Sequence, residues 1–218
     1  MKLKKLAILI SGRGSNLEAI LNGVKKGLIK AEIPIVISNK DNVRGLEIAR
    51  EFGVKSQFVN PKDFKSREDY DKYLVELIKS HNVDYVILAG YMKILTDYFI
   101  DSFENRIINI HPSLIPSFKG LKAQKQALEF GAKFTGCTVH FVSKELDSGP
   151  VIVQAVVPVL PEDTEESLSN RILKMEHRIY PQAVKWLVDD RVEIKGRNVI
   201  VKGANYGTLP VNPELEDF

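Results

Sequence analysis

The chain has 218 residues, 44% hydrophobic and 27% charged, a balance ordinary for a globular protein and enough to bury a core in one domain or two packed lobes. Its 31 basic and 28 acidic residues leave a net charge of +3, too mild to point to a nucleic-acid or anionic-membrane partner. The single cysteine, Cys137, excludes an intrachain disulfide, and no apolar run nears a transmembrane length, so the cytoplasm is the expected location.

Lysines at 2, 4 and 5 precede the apolar run Leu6–Ile10. The run is too short for a signal peptide and Arg13 follows at once, so it reads as a first strand covered on both faces. Ser11-Gly-Arg-Gly-Ser-Asn16 comes next, then a helix with Leu17, Ile20, Leu21 and Val24 on one face. Strand, glycine-rich turn and helix form a phosphate-binding arrangement, because glycines let backbone N–H groups approach an anion. The same residues also suit a plain tight turn with a Ser or Asn cap. No third fingerprint glycine and no Walker lysine is present.

Ile33–Ser38 reads as a second strand, followed by a helix capped by Asp41 or Asn42 and stopped by Gly53. Ser56–Val59 is a third strand. Ser66-Arg-Glu-Asp69 is a capping box before a helix with Tyr70, Tyr73, Leu74, Leu77 and Ile78 as its apolar stripe. Val83–Ala89 is a fourth strand, broken at Gly90. Met92, Ile94 and Leu95 then stand in a loop, where they either plug the core or line a flat apolar pocket. Thr96 caps a short helix. The alternation predicts an α/β fold with a doubly wound, mostly parallel sheet.

Arg106–Ile110 is the fifth strand, and it runs into Asn109-Ile-His-Pro-Ser113. Strand alternation points Asn109 and His111 the same way, and Pro112 keeps His111 extended. Ligands of open α/β sheets bind where such strands run out. An amide and an imidazole there can donate to an oxyanion, and His can move a proton; equally, both can simply satisfy backbone groups. After a helix from about Ala123 to Phe130, Cys137–Val142 and Pro150–Val159 read as an antiparallel pair joined by residues 143–149. The C-terminal half is thus expected to carry antiparallel strands. Asp163-x-x-Glu166 starts a long helix that runs past Trp186, with Pro181 inside it, and Val192–Lys195 and Val199–Lys202 form a last hairpin.

Of the four histidines, His81 reads as a helix-end cap and His140 as a satisfied core residue. Cys137 and His140 face opposite sides of one strand, and no cluster has zinc spacing, so no metal is expected. No Gly-x-Ser-x-Gly elbow is present, so the attacking group is expected on the substrate. Asp147, beside Ser148 and Gly149, is either a turn aspartate or a carboxylate near His111 that would favour the imidazolium.

Taken together, these segments resemble the glycinamide ribonucleotide formyltransferase family over roughly Lys5 to Trp186. The resemblance is carried by Ile-Ser-Gly-Arg-Gly-Ser-Asn16, Ile-Ser-Asn-Lys40, Ser-Arg-Glu-Asp-Tyr70, Leu-Ala-Gly-Tyr-Met-Lys-Ile-Leu95, Asn-Ile-His-Pro-Ser-Leu114, Thr-Val-His-Phe-Val142, Glu-Leu-Asp-Ser-Gly-Pro150 and Glu-His-Arg-Ile-Tyr-Pro181. It implies a Rossmann-like formyltransferase fold, with formyl transfer from 10-formyltetrahydrofolate, as co-substrate, to the amine of glycinamide ribonucleotide in purine biosynthesis.

It further implies that Asn109, His111 and Asp147 are catalytic, with Asn109 also at the folate. Gly14, Ser15 and Asn16 would hold the ribonucleotide phosphate and Glu176 its sugar. Met92, Lys93, Ile94 and Leu95 would line the folate pocket, with Arg67 near the acidic tail of the folate; this favours the pocket over the plug. Lys93 departs from the arginine of many relatives, and Lys119–Gln124 lacks histidines that some carry.

Residues 1–203 are expected to form one domain, nucleotide-binding to about residue 100 and catalytic and folate-binding from about 101, with 204–218 as a surface tail. Partners are expected to be small molecules, with no nucleic acid or membrane, and the oligomeric state is open between monomer and homodimer. A methionyl-tRNA formyltransferase would be expected to continue into a further C-terminal domain, and a formyltetrahydrofolate hydrolase to carry an N-terminal regulatory one. A sugar-nucleotide formyltransferase fits the Ser11–Asn16 loop less well.

Overall fold

A computed structural model describes residues 2–216. The chain divides into two compact units, Met1–Asn109 and Ile110–Phe218.

The first unit alternates β1 (Lys4–Ile10), α1 (Ser15–Lys25), β2 (Ala31–Ser38), α2 (Arg44–Glu51), β3 (Ser56–Phe58), α3 (Arg67–Ser80), β4 (Tyr85–Leu88), α4 (Asp97–Ser102) and β5 (Ile107–His111), whose last two residues begin the second unit. The strands lie in the order β3-β2-β1-β4-β5, every neighbouring pair parallel. The order reverses at β1, and right-handed crossovers then wind the helices in opposite senses on either side of it. This is the doubly wound arrangement that the β-α alternation predicts. β1 is the central strand, and Leu6 through Ile10 are all fully buried. Truncating one of these core side chains to Ala costs about 2–5 kcal/mol.

The second unit holds α5 (Ala123–Phe130), β6 (Phe134–Phe141), β7 (Val151–Pro158), α6 (Glu165–Val188), β8 (Val192–Lys195), β9 (Asn198–Val201) and β10 (Val211–Asn212). β6 and β7 are antiparallel, as are β7 and β10, while β8 and β9 form a separate hairpin. The antiparallel pairs β6–β7, β7–β10 and β8–β9 thus lie in the C-terminal half, as expected. α6 packs on β6 and β7 and runs unbroken through Pro181.

Three local readings change. The α2 cap is Val43, not Asp41 or Asn42. The Asp41 carboxylate instead accepts the Asn42 N–H at 2.8 Å, and Asn42 turns left-handed at φ +51°. α6 starts one residue beyond Thr164, whose capping box pairs it with Ser167; Asp163, the expected start of the helix, instead binds Arg171 at 2.6 Å. Finally, the expected surface tail 204–218, whose residues 217 and 218 lie outside the described residues, includes a short strand. Val211 is buried and β10 pairs with Ala155 and Gln154 of β7. Two residues of strand leave no period that a sequence pattern could reveal.

Candidate active site

The loops after β1 and β4 flank the point where the strand order reverses, which is where doubly wound sheets bind ligands. In the first loop Gly14 sits at φ +77°, and a Cβ there would come within 2.6 Å of Gly45 Cα. The Gly45 N–H also donates to the Gly12 carbonyl at 3.1 Å. Glycine at 14 thus lets the loop lie directly on the start of α2. Gly14 is also the N-cap of α1, and it brings no side chain to occupy first-turn N–H groups. Ser15 and Asn16 form that first turn, Asn16 buried and Ser15 half-buried, with Arg13 exposed beside them. A helix N-terminus suits an anion.

The second loop starts at Gly90, φ +76°. Its side chains diverge. Met92 and Ile94 are 63% and 59% exposed, whereas Leu95 is 6% exposed. The core-plug reading therefore fails for Met92 and Ile94 and holds for Leu95. The loop is pinned from beneath by Asp71, which accepts the Thr96 N–H at 2.7 Å. Burial raises the Asp71 carboxyl above the usual carboxylate range, against the pull of that bond. Tyr91 is buried with its hydroxyl 3.3 Å from that of Tyr70. Burial pushes Tyr70 up to about 12 and Tyr91 well above the usual phenol range, so both keep their protons. Lys93 Nζ lies 5.4 Å from the Tyr70 ring centre, within cation–π range. Arg67 is exposed at the start of α3.

One side chain ties the two loops together. The Ser11 hydroxyl accepts the Met92 N–H at 2.8 Å and donates to Asn39 Oδ1 at 2.6 Å.

β5 delivers Asn109 half-buried and His111 buried. His111 Nδ1 is 3.4 Å from Asp147 Oδ2, an ion-pair separation. Its Nε2 lies 2.9 Å from the Phe118 carbonyl, which only accepts, so Nε2 carries a proton. An imidazolium would offer an N–H to each acceptor. Asp147 Oδ2 also accepts the Gly120 N–H at 2.8 Å, so the loop 113–122 contributes to both members of the pair. His140 Nε2 stands 3.8 Å from Asp147 Oδ1. Its Nδ1 donates to the Phe141 carbonyl at 2.8 Å, and burial lowers its pKa below the usual histidine value. His140 is therefore a neutral wall of the Asp147 pocket.

Glu176 is buried on α6. Burial first, then the charge of Glu176, pushes the Cys137 thiol up, so that cysteine is a poor nucleophile. Among the described residues no three His, Cys, Asp or Glu side chains are grouped to hold a metal, and no helix is long and apolar enough to cross a membrane.

The structure thus brings His111 and Asp147 together, places Asn109 two residues before His111 on one strand, and sets Gly14–Asn16 and Met92–Leu95 on loops joined through Ser11. Sequence reasoning missed Ser11, Phe118, Gly120 and His140. The Ser11 and Gly120 contacts join residues far apart in the chain, whereas Phe118 to His111 and His140 to Asp147 each span only seven positions.

Residues 4–184 match the family described as Formyl transferase. The chain is 48% identical over 188 residues to the trifunctional purine biosynthetic protein adenosine-3 of Drosophila melanogaster, matching 85% of this chain but only 14% of the length of that protein. It is 44% identical over 189 residues to the phosphoribosylglycinamide formyltransferase of Escherichia coli (strain K12), covering 87% of this chain and 89% of that one. The crystal structure of glycinamide ribonucleotide transformylase 1 from Symbiobacterium toebii superposes with a TM-score of 0.90 at 48% identity, covering 91% of this chain and 94% of the other. A match over most of the chain, with identities of this size, means that the chain belongs to the formyl transferase family and, within it, to the phosphoribosylglycinamide formyltransferases.

Proposed function

We propose that this protein transfers the formyl group of 10-formyltetrahydrofolate to the primary amine of glycinamide ribonucleotide in purine biosynthesis, as a cytoplasmic enzyme. The products are formylglycinamide ribonucleotide and tetrahydrofolate. The observation that carries the reading is the buried His111–Asp147 pair at the end of β5, 3.4 Å apart.

Amine addition to the formyl carbon puts negative charge on the formyl oxygen. Asn109 and His111 donate to that oxyanion, and Asp147 opposite Nδ1 holds the orientation of the ring. For His111 to serve, its Nε2–H exchanges the Phe118 carbonyl for the formyl oxygen. A proton then moves from the amine nitrogen to the departing folate nitrogen, through His111 or water, as the old C–N bond breaks. Gly14, Ser15 and Asn16 take the phosphate at the α1 terminus and Glu176 the sugar. The exposed faces of Met92 and Ile94 suit a flat apolar ring, with Lys93 and Arg67 supplying positive charge towards a carboxylate tail. Leu95 supports the loop from below. The chemistry asks nothing of a metal.

The test is a spectrophotometric assay of folate deformylation with and without glycinamide ribonucleotide. The reading expects turnover only with the ribonucleotide, and a fall of about 10²–10³-fold in His111→Ala and Asp147→Asn. Turnover without acceptor would replace it with a hydrolase, and an active His111→Ala would remove the proposed mechanism.

A further inference from the structure

Asp147 stands at φ +45°, a left-handed conformation uncommon for non-glycine residues, although aspartate tolerates it better than most. Most of the surroundings are local. Gly149 lies so close to β6 that a Cβ would come within 1.8 Å of the Phe141 carbonyl. The Ser143 hydroxyl donates to the Glu145 carbonyl at 3.0 Å, and Lys119 to the Glu145 carboxylate at 3.3 Å. Lys119 already lies 26 positions away, and one contact comes from farther still. Arg197 Nη2 donates to the Ser148 carbonyl at 2.9 Å.

Arg197 is the second residue of the two-residue turn between β8 and β9, where Lys195 faces Asn198. Gly196 precedes it at φ +62°, as tight hairpin turns with glycine first require. The hairpin has a firm base. β9 packs on β7, Val201 is buried, and its N–H donates to the Tyr206 hydroxyl at 2.7 Å. The guanidinium is thus presented from a fixed support. Residue 197 also lies beyond 184, where the family match ends.

We propose that Arg197 is a positioning residue for the transfer reaction: its hydrogen bond to the Ser148 carbonyl holds the turn that aims Asp147 at His111. The inference rests on the reading of Asp147 as the partner of His111. Rotation of the Ser148–Gly149 peptide would turn that carbonyl away and release the backbone at Asp147. Glycine at 149 gives such a rotation little intrinsic resistance. A charged donor anchored outside the loop supplies the resistance, and charge-assisted bonds are the stronger kind. The Ser148 hydroxyl and then Lys119 hold the Glu145 carboxyl below its ordinary value, and the charge of Arg197 adds to them.

The experiment is steady-state kinetics on the full chain for Arg197→Ala, Arg197→Lys, Asp147→Asn and the Arg197→Ala/Asp147→Asn double variant, with melting temperatures alongside. Arg197→Ala should lower kcat about fivefold and leave the KM for glycinamide ribonucleotide within about twofold. Arg197→Lys should recover most of that loss, since it keeps a charged donor. In the Asp147→Asn background, Arg197→Ala should change residual turnover by less than about twofold, because the two residues act through one interaction. Unchanged kcat in Arg197→Ala, with Asp147→Asn impaired, overturns this proposal alone. So does an equal loss in both backgrounds, which would mark a general structural role. A fully active Asp147→Asn overturns the active-site reading and this proposal with it.

Discussion

Ser11 and Met92, 81 positions apart, meet through a hydrogen bond from the Met92 N–H to the Ser11 hydroxyl at 2.8 Å. The hydroxyl proton is committed to Asn39 at 2.6 Å, so the lone pair that receives Met92 has a fixed direction. The bond joins the end of β1 to the loop after β4. In the proposed function these loops serve different substrates, the ribonucleotide and the folate. Ser11→Ala should therefore raise the KM for 10-formyltetrahydrofolate about fivefold, the worth of roughly one hydrogen bond. It should also weaken any synergy between the two ligands, read as the change in folate affinity on saturating with ribonucleotide. A KM and a synergy equal to those of the parent would mean that the loops are positioned independently.

Gly14→Ala should act on the ribonucleotide side. The new Cβ would meet Gly45 Cα at 2.6 Å, backbone against backbone, on top of a positive φ. The loop must shift, and the N–H groups proposed to take the phosphate shift with it. The KM for the ribonucleotide should rise at least about tenfold. Gly53→Ala is the control, with φ +72° but open space around its Cβ. It carries a similar backbone penalty of about 1–2 kcal/mol and should lower the melting temperature without touching KM. Equal effects of the two variants on KM would argue against a phosphate role for the loop.

Much of this could be read from the residues, and the limits follow from where the interactions reach. The β-α alternation was legible because Leu6–Ile10 and its counterparts are buried on both faces, and because caps such as Ser66 and Thr96 act within one turn, on Asp69 and Phe99. The Asn109–His111 spacing was legible because a strand has period 2. Met92, Ile94 and Leu95 look alike in sequence, and only the fold separates the exposed pair from the buried one. The Gly120 N–H on Asp147 and the Arg197 guanidinium on Ser148 cross 27 and 49 positions, and no local pattern encodes such a pairing. β10 formed where the composition resembled a tail, because pairing with β7 outweighs weak strand propensity.

Acid should unlock the start of α6. Arg171 hydrogen-bonds Asp163 and holds its carboxyl well below the usual carboxylate range. The folded-state pKa is depressed, so the stabilisation is fully present above the unfolded value of 3.8 and is lost as pH falls below it towards the folded value. Arg171→Ala should therefore melt about 2 °C below the parent at pH 7. The gap should close as pH drops below that unfolded value. A gap that persists unchanged at low pH would show that Arg171 stabilises through packing of its stem.

The last expectation concerns a residue that the proposed reaction does not use. Gln182 is fully buried on α6, and neither its Oε1 nor its Nε2 has a hydrogen-bond partner among the described residues. A buried amide without partners costs about 1–3 kcal/mol relative to a satisfied one. Methionine fills nearly the same volume, adapts to irregular space and brings no polar atom to satisfy. Gln182→Met should raise the melting temperature by about 3 °C or more for a chain of this size and leave kcat unchanged. Gln182→Glu, which places a charge at the same buried position, should lower it at pH 7. If methionine destabilises as much as glutamate, the amide is being held by contacts that outweigh its desolvation, and Gln182 would have to be read as a structural hydrogen-bonding residue of the α6 interface.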